Sequence, residues 1–206
     1  MTSFDPRHRK ETPGGQAAIA FYRISQAIGH LLRARGKTHR LSPAQMQTLL
    51  FLEFARPGVC TIGGVANRLA VSYATASGVV DALERKQLVE RRPFPADRRT
   101  ITLSLTEEGS QEAARLEDLL DEVETAVNTL PAAEQQALVR AAQAIVRQLH
   151  TAGYVQVYEM CWGCHFFQQD AHPDDPHGPH HCAFMDAPLP EPQTYLECPD
   201  FVPAEQ

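Results

Sequence analysis

The 206 residues include 43% hydrophobic side chains, enough for one buried domain with an appendage and too much for a chain disordered throughout. No apolar run reaches bilayer-crossing length, and the polar opening MTSFDPRHRKETPGG lacks the apolar segment of a secretory signal, so a cytoplasmic chain with reduced thiols is expected. The net charge of −6 is unevenly spread: residues 1–147 hold all 19 Lys and Arg against 16 carboxylates, while the remainder holds nine carboxylates and no basic side chain. Between Arg40 and Leu105 there are nine basic and five acidic residues, and this local balance decides whether a polyanion is a plausible partner.

Residues 1–15, with Pro6, Pro13, Gly14 and Gly15 and no apolar period, read as a mobile arm. From Gln16 to Arg35, Ile19, Tyr22, Ile24, Ile28, Leu31 and Leu32 recur at helical spacing, and Gly36 is expected to close the helix. Leu41-Ser42-Pro43 starts the next one, Ser42 capping and Pro43 in first position, with Met46, Leu49, Leu50 and Leu52 on the buried face. Arg56-Pro57-Gly58 should end it. Thr61 then caps a short helix bearing Ile62, Val65, Ala66 and Leu69, and Ser72 opens another that runs to about Lys86 with Val79, Val80 and Leu83 inward. Two strands follow, Leu88 to Arg92 and Thr100 to Leu105, around a basic turn-rich loop from Pro93 to Arg99. Thr106-Glu107-Glu108 begins a long helix expected to reach about Val127, and Pro131 begins one reaching about His150. The join to the tail falls near Thr151 to Tyr154. Eight of the 15 prolines lie between His172 and Pro203, which leaves no room there for a long helix.

Two short helices joined by a tight turn and followed by a two-stranded ribbon make a winged helix-turn-helix, so the expected class is mainly α with a small β-wing (α+β). In such a unit the second helix enters the major groove while the first braces it. Its leading residues Ser72, Tyr73, Ala74, Thr75 and Ser77 are the candidates for base-edge contact. Arg98 and Arg99, at the expected loop tip, are candidates for phosphate or minor-groove contact, with Asp97 as wing support. Taken singly, Ser72 would be a helix cap and the arginines a solvated turn; their ordered assembly favours DNA.

The stretch TIGGVANRLAVSYATASGVVDALERKQLVERRPFPADRRTITLSLTEEG, Thr61 to Gly109, resembles the MarR family of bacterial transcription regulators. Its most recognisable part is the wing motif D-x-R, Asp97-Arg98-Arg99, followed by a strand and L-T-x-x-G. Helix order extends the resemblance over residues 16–150. It implies a homodimer with long dimerisation helices that binds a palindromic double-stranded operator, residues 16–36 and 131–150 forming the interface. Gln87 stands where the family commonly has glycine.

The extension over residues 151–206 is expected to be irregular. It holds Cys161, Cys164, Cys182 and Cys198 in the pattern C-x2-C-x17-C-x15-C. A C-x-x-C pair brings two thiolates over one turn, and the other two can complete a four-sulfur shell, so these four are the candidate ligands. Trp162, Phe166, Phe167, Phe184, Met185, Tyr195 and Phe201 can pack around them. Zinc has the higher base rate, but the single knuckle, the two solitary cysteines and Pro199 after Cys198 tip the balance toward an iron–sulfur cluster. His181, beside Cys182, is the best substitute ligand. His177, His180 and His181 could replace a sulfur or bind a second metal, but all three read more readily as solvated loop residues. Cys161 to His165 also matches the haem-attachment pattern C-x-x-C-H, an accidental match in a chain without an export signal. Cys60 lies in an apolar context and reads as a buried, inert thiol.

The sequence therefore points to a non-enzymatic, homodimeric DNA-binding regulator, most simply a repressor, whose cluster or zinc site adds redox or metal sensing. One alternative is a regulator answering a small-molecule effector, with zinc purely structural. Another is a thiol oxidoreductase or metal-transfer protein using Cys161 and Cys164; it fares worst, because no nucleophile–base–orienter set is present.

Overall fold

In the computed structural model, residues 12–55, 60–94, 97–154, 161–195, 198, 201–202 and 204 are described. Among them no helix is long and apolar enough to cross a membrane.

Helix α1 spans Pro13–His39 and starts earlier than its apolar period suggests, because the Thr12 side chain accepts the Gly15 N–H at 3.1 Å and Pro13 is pre-set for the first turn. The part of the expected arm before Thr12 lies outside the described residues. Gly36 does not end this helix. It is a buried interior residue, and a Cβ there would run into the Leu41 carbonyl, so glycine serves close approach of the chain returning to α2. Termination falls to Arg40, at φ 56°.

Helix α2 (Pro43–Phe54) is capped by Ser42 as expected, and the cap is reciprocal: Ser42 Oγ accepts from Gln45 N at 3.2 Å, and Gln45 Oε1 accepts from Ser42 N at 3.1 Å. The expected stop at residues 56–58 lies outside the described residues, but the helix has already ended at Phe54. Helix α3 (Ile62–Leu69) is capped by Thr61 Oγ1, and α4 (Tyr73–Arg85) by Ser72 Oγ. Gln87 takes φ 61°, the left-handed turn for which glycine is the usual choice, and the chain continues straight into β1.

Strands β1 (Val89–Phe94) and β2 (Asp97–Leu105) pair antiparallel from Val89–Leu105 to Pro93–Ile101, then shift to Phe94–Asp97. The strands thus extend further than expected. Arg98 and Arg99 fall in β2, where the shift leaves residues 98–100 without paired partners on β1, rather than in an open loop. β2 is also tied to the segment before α3, since Leu103 N–H donates to the Cys60 carbonyl.

The long helix expected after Thr106 divides into α5 (Glu107–Ala114) and α6 (Asp121–Val127), joined by turns over residues 115–120. No glycine or proline marks this break; Leu116 and Leu119 are buried within it, so tertiary packing overrides local helix preference. Helix α7 spans Ala132–Thr151.

The core gathers Met46, Leu49 and Leu52 of α2, Val65 of α3, Ala76, Val80 and Leu83 of α4, Val89 and Leu103 of the wing, and Ala113 and Leu116. Leu50, Ile62, Leu69 and Val79, expected inside, are only partly buried against it. The extension is more regular than expected. Strands β3 (Phe167–Gln168), β4 (His180–Cys182) and β5 (Ala187–Leu189) form a small antiparallel sheet in the order β3-β4-β5.

Candidate nucleic-acid interface and cysteine site

The start of α4 is set by Ser72, whose Oγ accepts from Thr75 N at 3.1 Å and lies 2.8 Å from Thr75 Oγ1. Ser72, Tyr73, Ala74 and Thr75 are exposed on one end of the helix, with Tyr73 63% exposed, while Ser77 is half-buried and Ala76 is wholly inside. An exposed, small and hydrogen-bonding helix start flanked by a buried alanine can approach a groove closely without leaving the core. Gly78, one turn on and also exposed, meets nothing within 4 Å of a built Cβ, so it widens the same accessible face. Of the wing motif, the backbone of Asp97, Arg98 and Arg99 is placed in β2, while their side chains lie outside the described residues.

A wing-positioning residue went unnoticed in the sequence. Arg91 of β1 reaches back to α4, pairing with Asp81 at 2.7 Å and with Glu84. The hydrogen bond to Asp81 leads the causes that push its guanidinium further up. Asp81 and Glu84 lie i, i+3 on one face of α4, but nothing in their spacing reveals that a residue of the following strand will bridge them. Lys86, at the end of α4, likewise donates to the Arg40 carbonyl and to Gln45 Oε1, tying the reading helix to the start of α2.

In the extension, Cys161, Cys164, Cys182 and Cys198 line one cavity of about 30 Å³, together with Phe166, Phe167, Phe184 and Met185. Local structure explains the convergence. Cys161–Gly163 forms a 3-10 turn in which Cys164 N–H donates to the Cys161 carbonyl at 2.9 Å. Sheet pairing sets Cys182 opposite Phe167. The chain beyond Cys198 then returns to the knuckle: His165 N–H donates to the Val202 carbonyl and Ala204 N–H to the Gly163 carbonyl. Burial, followed by the charges of Cys198, Cys164 and Cys182, pushes the Cys161 thiol up to about 11. A thiol shifted this far is neutral at ordinary pH. No disulfide joins any of the five cysteines. Among the described residues, no three His, Cys, Asp or Glu side chains close on a single ion-sized point.

Among the described residues no histidine lines the cavity. His181 directs Nδ1 to His172 Nε2 at 3.0 Å and Nε2 toward Asp186 at 3.5 Å, so both nitrogens of the expected substitute ligand are engaged elsewhere. His180, expected in solvent, is 1% exposed. Its Nδ1 accepts the Asp170 N–H at 3.0 Å, which leaves Nε2 to carry the proton toward Glu191 Oε2 at 2.7 Å. The burial follows from its place in the central strand of the small sheet. His177 is exposed as expected. Of the expected aromatic shell, Trp162 stands beside the cavity against Phe167, ring centroids 5.0 Å apart; the Tyr195 side chain lies outside the described residues. Cys60 is 3% exposed and its thiol, pushed up by burial, donates to the Ala55 carbonyl.

A helical body that presents a capped reading helix and a braced antiparallel wing is a winged helix-turn-helix. The model of the MarR family matches residues 40–100, the stretch from the α1–α2 turn into the wing. The repressor NicR of Pseudomonas putida is 31% identical over 100 residues, 43% of this chain and 62% of its own length. The repressor YetL of Bacillus subtilis is 31% identical over 102 residues, 50% of this chain and 59% of its own. The chain thus spans about three-fifths of the length of these curated relatives. Among solved structures, Staphylococcus aureus MepR in complex with DNA superposes with TM-score 0.57 at 23% identity, covering 64% of this chain and 97% of MepR. Bordetella bronchiseptica BpsR, whose DNA binding is regulated by 6-hydroxynicotinic acid, gives 0.53 at 23%, covering 69% and 98%. These likenesses show the fold.

Proposed function

We propose that the chain is a cytoplasmic, homodimeric DNA-binding transcription regulator, acting as a repressor, whose four-cysteine site controls its grip on the operator. The observation that carries the reading is the joint presence of an exposed, capped reading helix with its braced wing and four cysteines lining one cavity. Two relatives named as repressors and a DNA-bound structure of the same fold support the first half. Exposed apolar side chains on α1 (Tyr22, Ile24) and α7 (Val139, Ile145, Leu149) support pairing of two copies through those helices.

The four thiols suit a soft, sulfur-seeking group. Zinc draws four sulfurs to about 2.3 Å from one ion; the single C-x-x-C knuckle, the two solitary cysteines and Pro199 after Cys198 lean the reading toward an iron–sulfur cluster. When bound, the group supplies positive charge that keeps the thiolates ionised and crosslinks a segment with little core of its own. Its loss or oxidation loosens the tail and shifts the spacing of two recognition helices that must match half-sites about one DNA turn apart.

The test compares protein reconstituted anaerobically with iron and sulfide against chelator-stripped protein, at fixed salt, for affinity to a duplex selected from a random library. The expected result is a brown protein containing iron and sulfide whose affinity changes on stripping. Equal affinities would remove the switch and leave DNA binding standing. A colourless protein with one zinc per chain would establish zinc instead. A small-molecule effector is the second reading, favoured by the ligand-regulated BpsR structure; it predicts that a ligand, and not stripping, releases DNA.

A further inference from the structure

We infer that Trp162 and Arg147 form the contact through which the state of the four-cysteine site is felt by α7; this rests on the reading of that site given above. Trp162 lies inside the knuckle, between ligand candidates Cys161 and Cys164, so whatever those two sulfurs hold fixes the backbone that carries the indole. The indole is held on its far side as well. Nε1–H donates to Thr194 Oγ1 at 3.0 Å, and the wholly buried Thr194 donates in turn to the Glu191 carbonyl at 2.7 Å. The buried His180 ring packs edge-on to it at 5.5 Å.

Onto this anchored ring comes Arg147 from the last turns of α7, its guanidinium 5.2 Å from the ring centroid, within the range of a cation–π contact. Arg147 is the last basic residue of the chain, and the segment beyond it holds nine carboxylates. Yet among the described residues it stacks against an aromatic face. Gln143, four residues earlier and on the same side of α7, is 6% exposed, while Arg147 itself is exposed at its edge over the ring. α7 also carries exposed Val139, Ile145 and Leu149, the surface proposed above for pairing two copies. A change in knuckle geometry therefore acts on one end of the pairing helix through the stacked cation.

The experiment uses the full chain, loaded with iron and sulfide or with zinc alone, then stripped by chelator. In wild type, stripping is expected to speed amide hydrogen exchange in the last two turns of α7 by about two- to tenfold, the scale of one cation–π contact. Trp162 is the only tryptophan, so in zinc-loaded protein its emission reports the same step and shifts on stripping. Loaded Arg147→Gln is expected to keep its iron and sulfide but to exchange in α7 like stripped wild type, while Arg147→Lys, which retains the cation, stays close to loaded wild type. Wild-type protection in loaded Arg147→Gln, or α7 exchange that ignores stripping in a wild type shown to hold iron and sulfide, would overturn the inference alone. A wild type that takes up neither iron with sulfide nor zinc would overturn the reading of the site, and this inference with it.

Discussion

Cys60 and the tail cysteines show how one residue type acquires opposite roles from its surroundings. Cys60 is 3% exposed among apolar neighbours, with its thiol directed to a carbonyl and pushed above 9.0 by burial, so it stays neutral and shielded at ordinary pH. The four tail cysteines are half-buried around a cavity and remain approachable. Alkylation of stripped protein at neutral pH is expected to modify the approachable tail thiols first, Cys161 more slowly than its neighbours because its thiol is held neutral, and Cys60 only on unfolding; early labelling of Cys60 would contradict the burial. The same shift has a sign in stability. The unfolded thiol ionises near 9.0 while the folded one ionises higher, so this contribution is complete below pH 9 and is lost as pH rises through the folded value. Comparing urea midpoints of wild type and Cys60→Ala on either side of pH 9 checks it: the pH-dependent part should vanish in the variant.

At the level of elements, two predictions concern how the wing is held. Gly109, in the first turn of α5, lies so close to β1 that a Cβ would strike the Leu88 carbonyl oxygen. Gly109→Ala is therefore expected to cost about 2 kcal/mol, the usual scale of overpacking where the neighbour is backbone, read as a lowered urea midpoint. Arg91→Ala cuts the wing from α4; because Arg91 is 30% exposed, the stability loss is expected to be only about 0.5–1 kcal/mol. DNA affinity should fall more than stability does, as the wing loses its fixed angle to the reading helix. An affinity that merely tracks unfolding would make Arg91 an ordinary surface pair. These elements also mark what the sequence discloses. Ser42, Thr61 and Ser72 cap by hydrogen bonds to N–H groups three residues on, so local sequence suffices to place the helices they open. The break over residues 115–120 is invisible because its cause is burial of Leu116 and Leu119 by distant partners. Gly36 misleads since close packing, and not a turn, requires it. Spacing singles out the four cysteines that line one cavity, but the two- and three-residue strands beside that cavity form only through pairing across the tail. His180 was misjudged for the same reason.

On the scale of the whole molecule, charge is segregated: a basic middle from Arg40 to Leu105, where the reading helix and wing reside, and a tail from Gln148 with nine carboxylates and no cation. A net charge of −6 conceals this division, and under the proposed function it confines DNA binding to one part of the surface, with the tail repelled from phosphate. The consequence is measurable as salt dependence, because each neutralised phosphate contributes about 0.9 to the slope of log K against log salt. Arg98 and Arg99 lie in the β2 segment that has no paired partners on β1. If one of them contacts a phosphate in each subunit of a dimer, its replacement by alanine should lower the magnitude of that slope by about 1.8 and weaken all sequences alike. A Thr75→Ala variant should behave differently, because Thr75 is exposed at the start of the reading helix. It should leave the slope unchanged and reduce discrimination between the selected duplex and a scrambled one. Titrations of both variants at several salt concentrations separate the roles: a slope unmoved by both arginine replacements would take the wing off the phosphates, and unaltered discrimination in Thr75→Ala would take that residue off the base edges.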